Sequence, residues 1–139
     1  MSTPKRTISS ERTRGPVVLL VEDVVDVRSV FAEILVREGF GVIEASNGHE
    51  AIVWAHAARP DAIVMDLSIP LLDGAEATRI LRSHAATRLI PVIALTGYPV
   101  EPADRKEFEH VLTKPCMPDV LVQRLRAVLS RGAAGGQQR

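Results

Sequence analysis

The stretch "PVVLLVED", residues 16–23, runs without a polar interruption from Pro16 to Val21 and then ends on two adjacent carboxylates, Glu22 and Asp23. A β-branched and leucine run that does not alternate with polar residues is the pattern of a strand covered on both faces, and it points to a parallel sheet. The chain on its C-terminal side supports that reading. "DVRSVFAEILVREGF" (26–40) places Val27, Val30, Phe31, Ile34 and Leu35 at helical spacing, with Gly39 as a stop. The alternation then continues: "GVIEAS" (41–46) as strand, "GHEAIVWAHAARP" (48–60) as helix, "DAIVMDL" (61–67) as strand, "DGAEATRILRSHA" (73–85) as helix and "IPVIALTG" (90–97) as strand. "VEPADRKEFEH" (100–110) reads as a short helix and "VLTKP" (111–115) as a brief strand. "PDVLVQRLRAVLSR" (118–131) reads as a last helix with Val120, Leu121, Leu125 and Val128 inward.

Five βα units of this kind predict an α/β fold, a doubly wound, five-stranded parallel sheet with helices on both faces. Residues 16–131 form the expected domain, preceded by a flexible arm (1–15) and followed by a disordered tail (132–139). A chain of 139 residues, 46% hydrophobic, suffices for one such core and not for two. Its formal net charge of zero provides no general attraction to nucleic acid or to an anionic membrane. Lys5, Arg6, Arg12 and Arg14 read as a solvated arm. The single cysteine, Cys116, excludes an internal disulfide and a cysteine-rich zinc cluster. Neither the apolar core of a signal peptide nor a run of about 18 apolar residues is present, so a soluble, cytoplasmic protein is expected.

In an open parallel sheet, ligands bind at the carboxyl ends of the strands. Glu22 and Asp23 end the first strand, Asp66 the third, Thr96 the fourth and Lys114 the fifth. Carboxylates converging there raise one another's pKa and call for a cation. One divalent ion with oxygen ligands, Mg²⁺ (or Mn²⁺), answers that need and leaves room for a phosphate. A metal and a lysine beside a carboxylate point to phosphoryl transfer with Asp66 as nucleophile. The Thr96 hydroxyl is then available to a phosphate oxygen, and Gly97 leaves room for backbone approach.

"VLLVED", "VMDLSIPLLDG", "ALTG" and "LTKP", in this order and spacing, closely resemble the CheY-like receiver domain of bacterial two-component response regulators, over about residues 16 to 131. The resemblance implies the flavodoxin-like strand order 2-1-3-4-5. It implies that Asp66 is the phosphoacceptor, charged by a histidine kinase or phosphotransfer protein. Glu22, Asp23 and Asp66, with the backbone carbonyl of Ser68, would hold Mg²⁺. Thr96 would be the switch hydroxyl and Lys114 the phosphate-binding lysine, in a bond to Pro115 that is commonly cis in the family. Tyr98, two beyond Thr96, would shield or tune the site.

Two departures stand out. Three residues before the lysine the family usually has an aromatic that swings inward, and here Val111, with one stiff χ1, stands in its place. Thr96 and Lys114 are separated by about four residues fewer than usual, one helical turn, so the fourth helix is expected to be short or irregular and the neighbouring output face to differ. Asp73 reads as a helix N-cap and Trp54 as a packing residue. His49, His56, His84 and His110 lie in separate segments with no acidic or cysteine partner at metal spacing, which argues against a histidine metal site. The expected function is that of a single-domain receiver that changes its binding to an unnamed downstream protein or relays phosphate, with homodimerisation open. Its only chemistry would be Mg²⁺-dependent self-phosphorylation and autodephosphorylation, not conventional enzymology. The alternatives are a receiver-like interaction module that takes no phosphate and an aspartate-nucleophile phosphatase. The phosphatase would want a second aspartate where Ser68 stands. A nucleotide-binding reading lacks any glycine-rich phosphate loop.

Overall fold

In a computed structural model, which describes residues 6–7 and 15–137, the apolar run Val17–Val21 becomes a strand at the centre of the sheet. In chain order the elements are β1 (Arg6–Thr7), β2 (Val17–Val21), α1 (Val25–Arg37), β3 (Gly41–Ala45), α2 (Gly48–Ala58), β4 (Ala62–Asp66), α3 (Gly74–Arg82), β5 (Val92–Thr96), α4 (Pro102–Arg105), β6 (His110–Thr113) and α5 (Pro118–Gln137). The sheet order is β1-β3-β2-β4-β5-β6. All pairs are parallel except β1 with β3. Leaving β1 aside, the five parallel strands have the expected 2-1-3-4-5 order.

Side-chain parity divides the core. Val18 and Leu20 of β2, Val64 of β4, Leu95 of β5 and Leu112 of β6 face α1 and α5, meeting Leu35, Leu121 and Leu125. Leu19, Val21, Met65 and Ala94 point the other way, against Ala51 and Ala55 of α2 and Ala77 and Leu81 of α3. Both faces are covered, so the strands carry no polar face.

The helices begin where their caps dictate. Asp73 accepts from the backbone N–H of Glu76 at 2.8 Å and starts α3, and Asn47 does the same for Glu50 at the start of α2. Gly74 lets α3 press on the strand it follows: a Cβ there would lie 2.6 Å from the carbonyl oxygen of Asp66. The fourth helix is four residues long, begun by Pro102.

Four expectations change. In α1 the buried positions are Ala32 and Leu35, while Val27 and Val30 are exposed. Their place on the inward side is taken by Arg28, which pairs with buried Glu44 of β3 at 3.0 Å. Arg6 and Thr7, expected in a flexible arm, pair antiparallel with Ile43 and Val42 and occupy the outer edge of β3. Helix α5 continues to Gln137, beyond Arg131, where a disordered tail was expected. The rest of the arm and residues 138–139 lie outside the described residues. Finally, two of the four histidines meet: the rings of His56 and His84 are 5.1 Å apart. Among the described residues, no helix is long and apolar enough to cross a membrane.

Candidate functional site

The same parity that divides the core assembles the rim. Glu22 follows Leu20, Asp66 follows Val64 and Lys114 follows Leu112 by two residues each, so all three side chains start on the α1/α5 side of the sheet. Ladder hydrogen bonds carry the register one residue past the strands: Glu22 N–H donates to the Ala45 carbonyl (3.0 Å) and Lys114 N–H to the Thr96 carbonyl (2.8 Å). The three groups therefore converge on rigid backbone. Lys114 Nζ lies 2.9 Å from Asp66 Oδ2 and 3.5 Å from Glu22 Oε1. Asp66 is buried, and its Oδ1 accepts from the Ser68 N–H at 2.9 Å.

Glu22, Asp23 and Asp66 each present a carboxylate oxygen within 4.8 Å of the others. Glu22 is 2% exposed, and its Oε1 has no hydrogen-bond partner among the described residues. Lys114, at 3.5 Å, attracts it without satisfying it. Burial pushes the Glu22 carboxyl up to about 7, with the charge of Asp66 adding to the shift, while the N–H of Val24 and the charge of Lys114 oppose it. Burial alone would lower the Lys114 ammonium, but its hydrogen bond to Asp66 and the charges of Asp66 and Glu22 leave it above its ordinary value. A buried, orphaned carboxylate oxygen between two more carboxylates is a donor set suited to a hard divalent cation, and Mg²⁺ fits it. The Ser68 carbonyl lies in the loop that follows Asp66.

Thr96 ends the neighbouring strand β5, and its side chain makes no hydrogen bond to these groups among the described residues. It shares parity with Ala94, on the α2/α3 side, and its Oγ1 is engaged by its own loop: it accepts from Tyr98 N–H and donates to the Tyr98 carbonyl, both at 3.0 Å. Tyr98 itself is 73% exposed. Val111 is half-buried beside Ala94, packed against the α2/α3-side core. The aromatic bulk of this region comes from Phe108, buried just before β6 and at the opposite end of the sheet from Thr96. The bond from Lys114 to Pro115 is cis.

Sequence reasoning missed Arg28. Its Nη1 donates to the Glu22 carbonyl at 2.7 Å while its Nε holds Glu44 at 3.0 Å, so a buried ion pair anchors the backbone that carries the acidic pair. The available signal was a charge on each element at a core position: Arg28 one turn before Phe31 and Ala32, and Glu44 inside "GVIEA". Beside the cluster a cavity of about 430 Å³ opens between α1 and the segment that follows β6, lined by Glu22, Val27, Phe31, Leu95, Lys114, Pro115 and Cys116.

Comparison with known proteins agrees with this geometry. The family model described as the response regulator receiver domain matches residues 18–126. The chain is 34% identical over 124 residues to the alkaline phosphatase synthesis transcriptional regulatory protein PhoP of Bacillus subtilis, covering 82% of this chain and 48% of that protein. With the Bacillus subtilis transcriptional regulatory protein ResD, 34% identical, it again spans about half of the relative, 52%. Protein PilH of Pseudomonas aeruginosa is 32% identical over 117 residues, 81% of this chain and 97% of PilH. Among solved structures, the receiver domain of a Pseudomonas aeruginosa sensor histidine kinase, with a magnesium ion coordinated in its active site cleft, superposes with a TM-score of 0.75 at 33% identity. That match covers 84% of this chain and 98% of the other. The Vibrio cholerae chemotaxis response regulator CheY4 gives 0.74 at 28% identity, over 82% of this chain and 98% of its own. Fold order, acidic rim and sequence kinship agree, and the chain belongs to the response regulator receiver domains of two-component signalling.

Proposed function

We propose that this receiver takes a phosphoryl group onto Asp66 from the phosphohistidine of a histidine kinase or phosphotransfer protein, and that the modified form binds a downstream protein differently. The observation that carries the reading is Asp66 itself, buried at the strand end with Lys114 Nζ 2.9 Å from one oxygen and the Ser68 N–H 2.9 Å from the other. A carboxylate oxygen of Asp66 attacks phosphorus, the P–N bond of the donor breaks, and the imidazole leaves with that electron pair. The product is an acyl phosphate. Lys114 neutralises charge on the moving phosphoryl oxygens, and its fixed position avoids reorganisation during transfer. Glu22, Asp23, Asp66 and the Ser68 carbonyl would hold Mg²⁺, which supplies charge neutralisation and in-line alignment of the phosphoryl group.

The switch begins at Thr96. Among the described residues its hydroxyl bonds to the Tyr98 backbone alone, and a phosphoryl oxygen on Asp66 would compete for it. Recruiting that hydroxyl releases the start of the β5–α4 loop, so phosphorylation shifts the balance between two loop arrangements with different partner affinity. Val111 follows with a small packing change, not an aromatic swing. The role fits a signalling protein of the cytoplasm.

The test is incubation with Mg²⁺ and acetyl phosphate, followed by intact-mass analysis. The wild type gains one phosphoryl group, and Asp66→Asn and the Mg²⁺-free sample gain none. Failure of the wild type to take label from small donors and from histidine kinases would overturn the reading. Sustained turnover of phosphomonoesters would replace it with a phosphatase.

A further inference from the structure

We propose that His56 and His84 form a second metal site, for a borderline transition ion such as Zn²⁺, at the end of the molecule opposite the acidic rim. His56 lies in the last turn of α2, and His84 follows Ser83, the C-cap of α3. Since α3 starts against Asp66 and runs away from it, the pair sits at the far end of the helices.

Each imidazole is oriented in the same way. Nδ1 of His56 is 3.0 Å from the Ile52 carbonyl oxygen, and Nδ1 of His84 is 2.9 Å from that of Ile80. A carbonyl can only accept, so each Nδ1 carries a proton, and in the neutral ring Nε2 is then the nitrogen with the lone pair. This is the outer-shell arrangement found behind metal-bound histidines, in which the second nitrogen is tied to a carbonyl and the ring is held for coordination. Neither Nε2 has a protein partner among the described residues. Nδ1 of His84 also lies 3.3 Å from the Ser83 hydroxyl, a further brace on that ring.

The separation suits one shared ion. With a Zn–N bond of about 2.1 Å, and a ring nitrogen about 1.1 Å from its centroid, two imidazoles on a tetrahedral ion have centroids roughly 5 Å apart. The observed centroids are 5.1 Å apart with the planes at 87°, an edge-on contact of the two rings that matches this separation. His84 is exposed and His56 half-buried, so the ion enters from solvent and water completes its shell. Neutral nitrogen donors select Zn²⁺, Ni²⁺ or Cu²⁺ over Mg²⁺, which keeps this site chemically separate from the oxygen-only rim. An ion here links the ends of α2 and α3, two helices that lie 28 positions apart in the chain at these residues.

The experiment is calorimetric titration of Zn²⁺ into the full chain carrying Cys116→Ser, with millimolar Mg²⁺ present to occupy the rim, and thermal denaturation of the same samples. One Zn²⁺ should bind per chain and raise Tm by mass action. Removing one of two ligands exceeds the loss of an outer-shell partner, so His56→Ala and His84→Ala should each weaken binding by more than roughly tenfold. His49→Ala should leave it unchanged. Urea denaturation of the variants without Zn²⁺ confirms that they fold. Equal Zn²⁺ affinity in wild type and His84→Ala, or loss of binding in Asp66→Asn, would overturn the proposal.

Discussion

Glu22 is the residue at which burial is set against charge, and replacing it by glutamine makes the conflict measurable. In the folded chain its carboxyl is pushed up to about 7, whereas in the unfolded chain it titrates near an ordinary 4.5. Below the lower value both states carry the proton and the group is neutral to folding. As pH rises, the unfolded chain releases the proton first, and the folded state loses stability until its own carboxyl has ionised. The loss is complete above about 7 and amounts to about 3 kcal/mol. In EDTA, Glu22→Gln should therefore match the wild type near about pH 4, below the unfolded-state value, and exceed it by up to about 3 kcal/mol near about pH 8, roughly 10 °C in Tm. Mg²⁺ should reverse the order, stabilising the wild type by mass action and leaving the variant almost unchanged. Urea denaturation at the two pH values, with and without Mg²⁺, reads all four quantities. A variant-minus-wild-type difference that is the same at both pH values would refute the argument, because it would mean that ionising Glu22 costs the fold nothing.

Two further outcomes follow from the supports of the rim. Arg28→Met should destabilise the domain by about 2 kcal/mol, because it removes the 2.7 Å charged hydrogen bond to the Glu22 carbonyl and the 3.0 Å ion pair with Glu44. It should also weaken Mg²⁺ binding through release of the Glu22 carbonyl, read by titration of Mg²⁺ into both proteins. Gly74→Ala places a methyl 2.6 Å from the Asp66 carbonyl oxygen, against backbone that cannot yield cheaply. A loss of about 2 kcal/mol by thermal denaturation is expected, together with slower labelling by acetyl phosphate.

Much of this protein is readable in one dimension, because strand periodicity is short-range. Uninterrupted runs such as "VVLLV" and "AIVMD" require cover on both faces, which requires helices on both sides and parallel crossovers, and the strand ends then place Glu22, Asp66 and Lys114 on one rim. The short α4 followed from counting residues between Thr96 and Lys114 and from the two prolines between them.

Other features depended on which surfaces meet, and no local pattern carries that. The valines of α1 offer a stripe at the right spacing, yet Val27 and Val30 face solvent because Arg28 turns inward to reach Glu44, a residue on the neighbouring strand. Parity places Thr96 on the side of the sheet opposite Asp66, and the Tyr98 backbone holds its hydroxyl. His56 and His84, distant along the chain and discounted on that ground, are brought to 5.1 Å by the packing of α2 against α3. The orphaned Glu22 oxygen exists only once the surrounding groups have excluded water. Sequence by itself determined which groups reach the rim, since backbone alternation is a property of the chain. Tertiary structure alone decided which of them are satisfied, because hydrogen bonding and desolvation depend on neighbours that the fold brings from elsewhere.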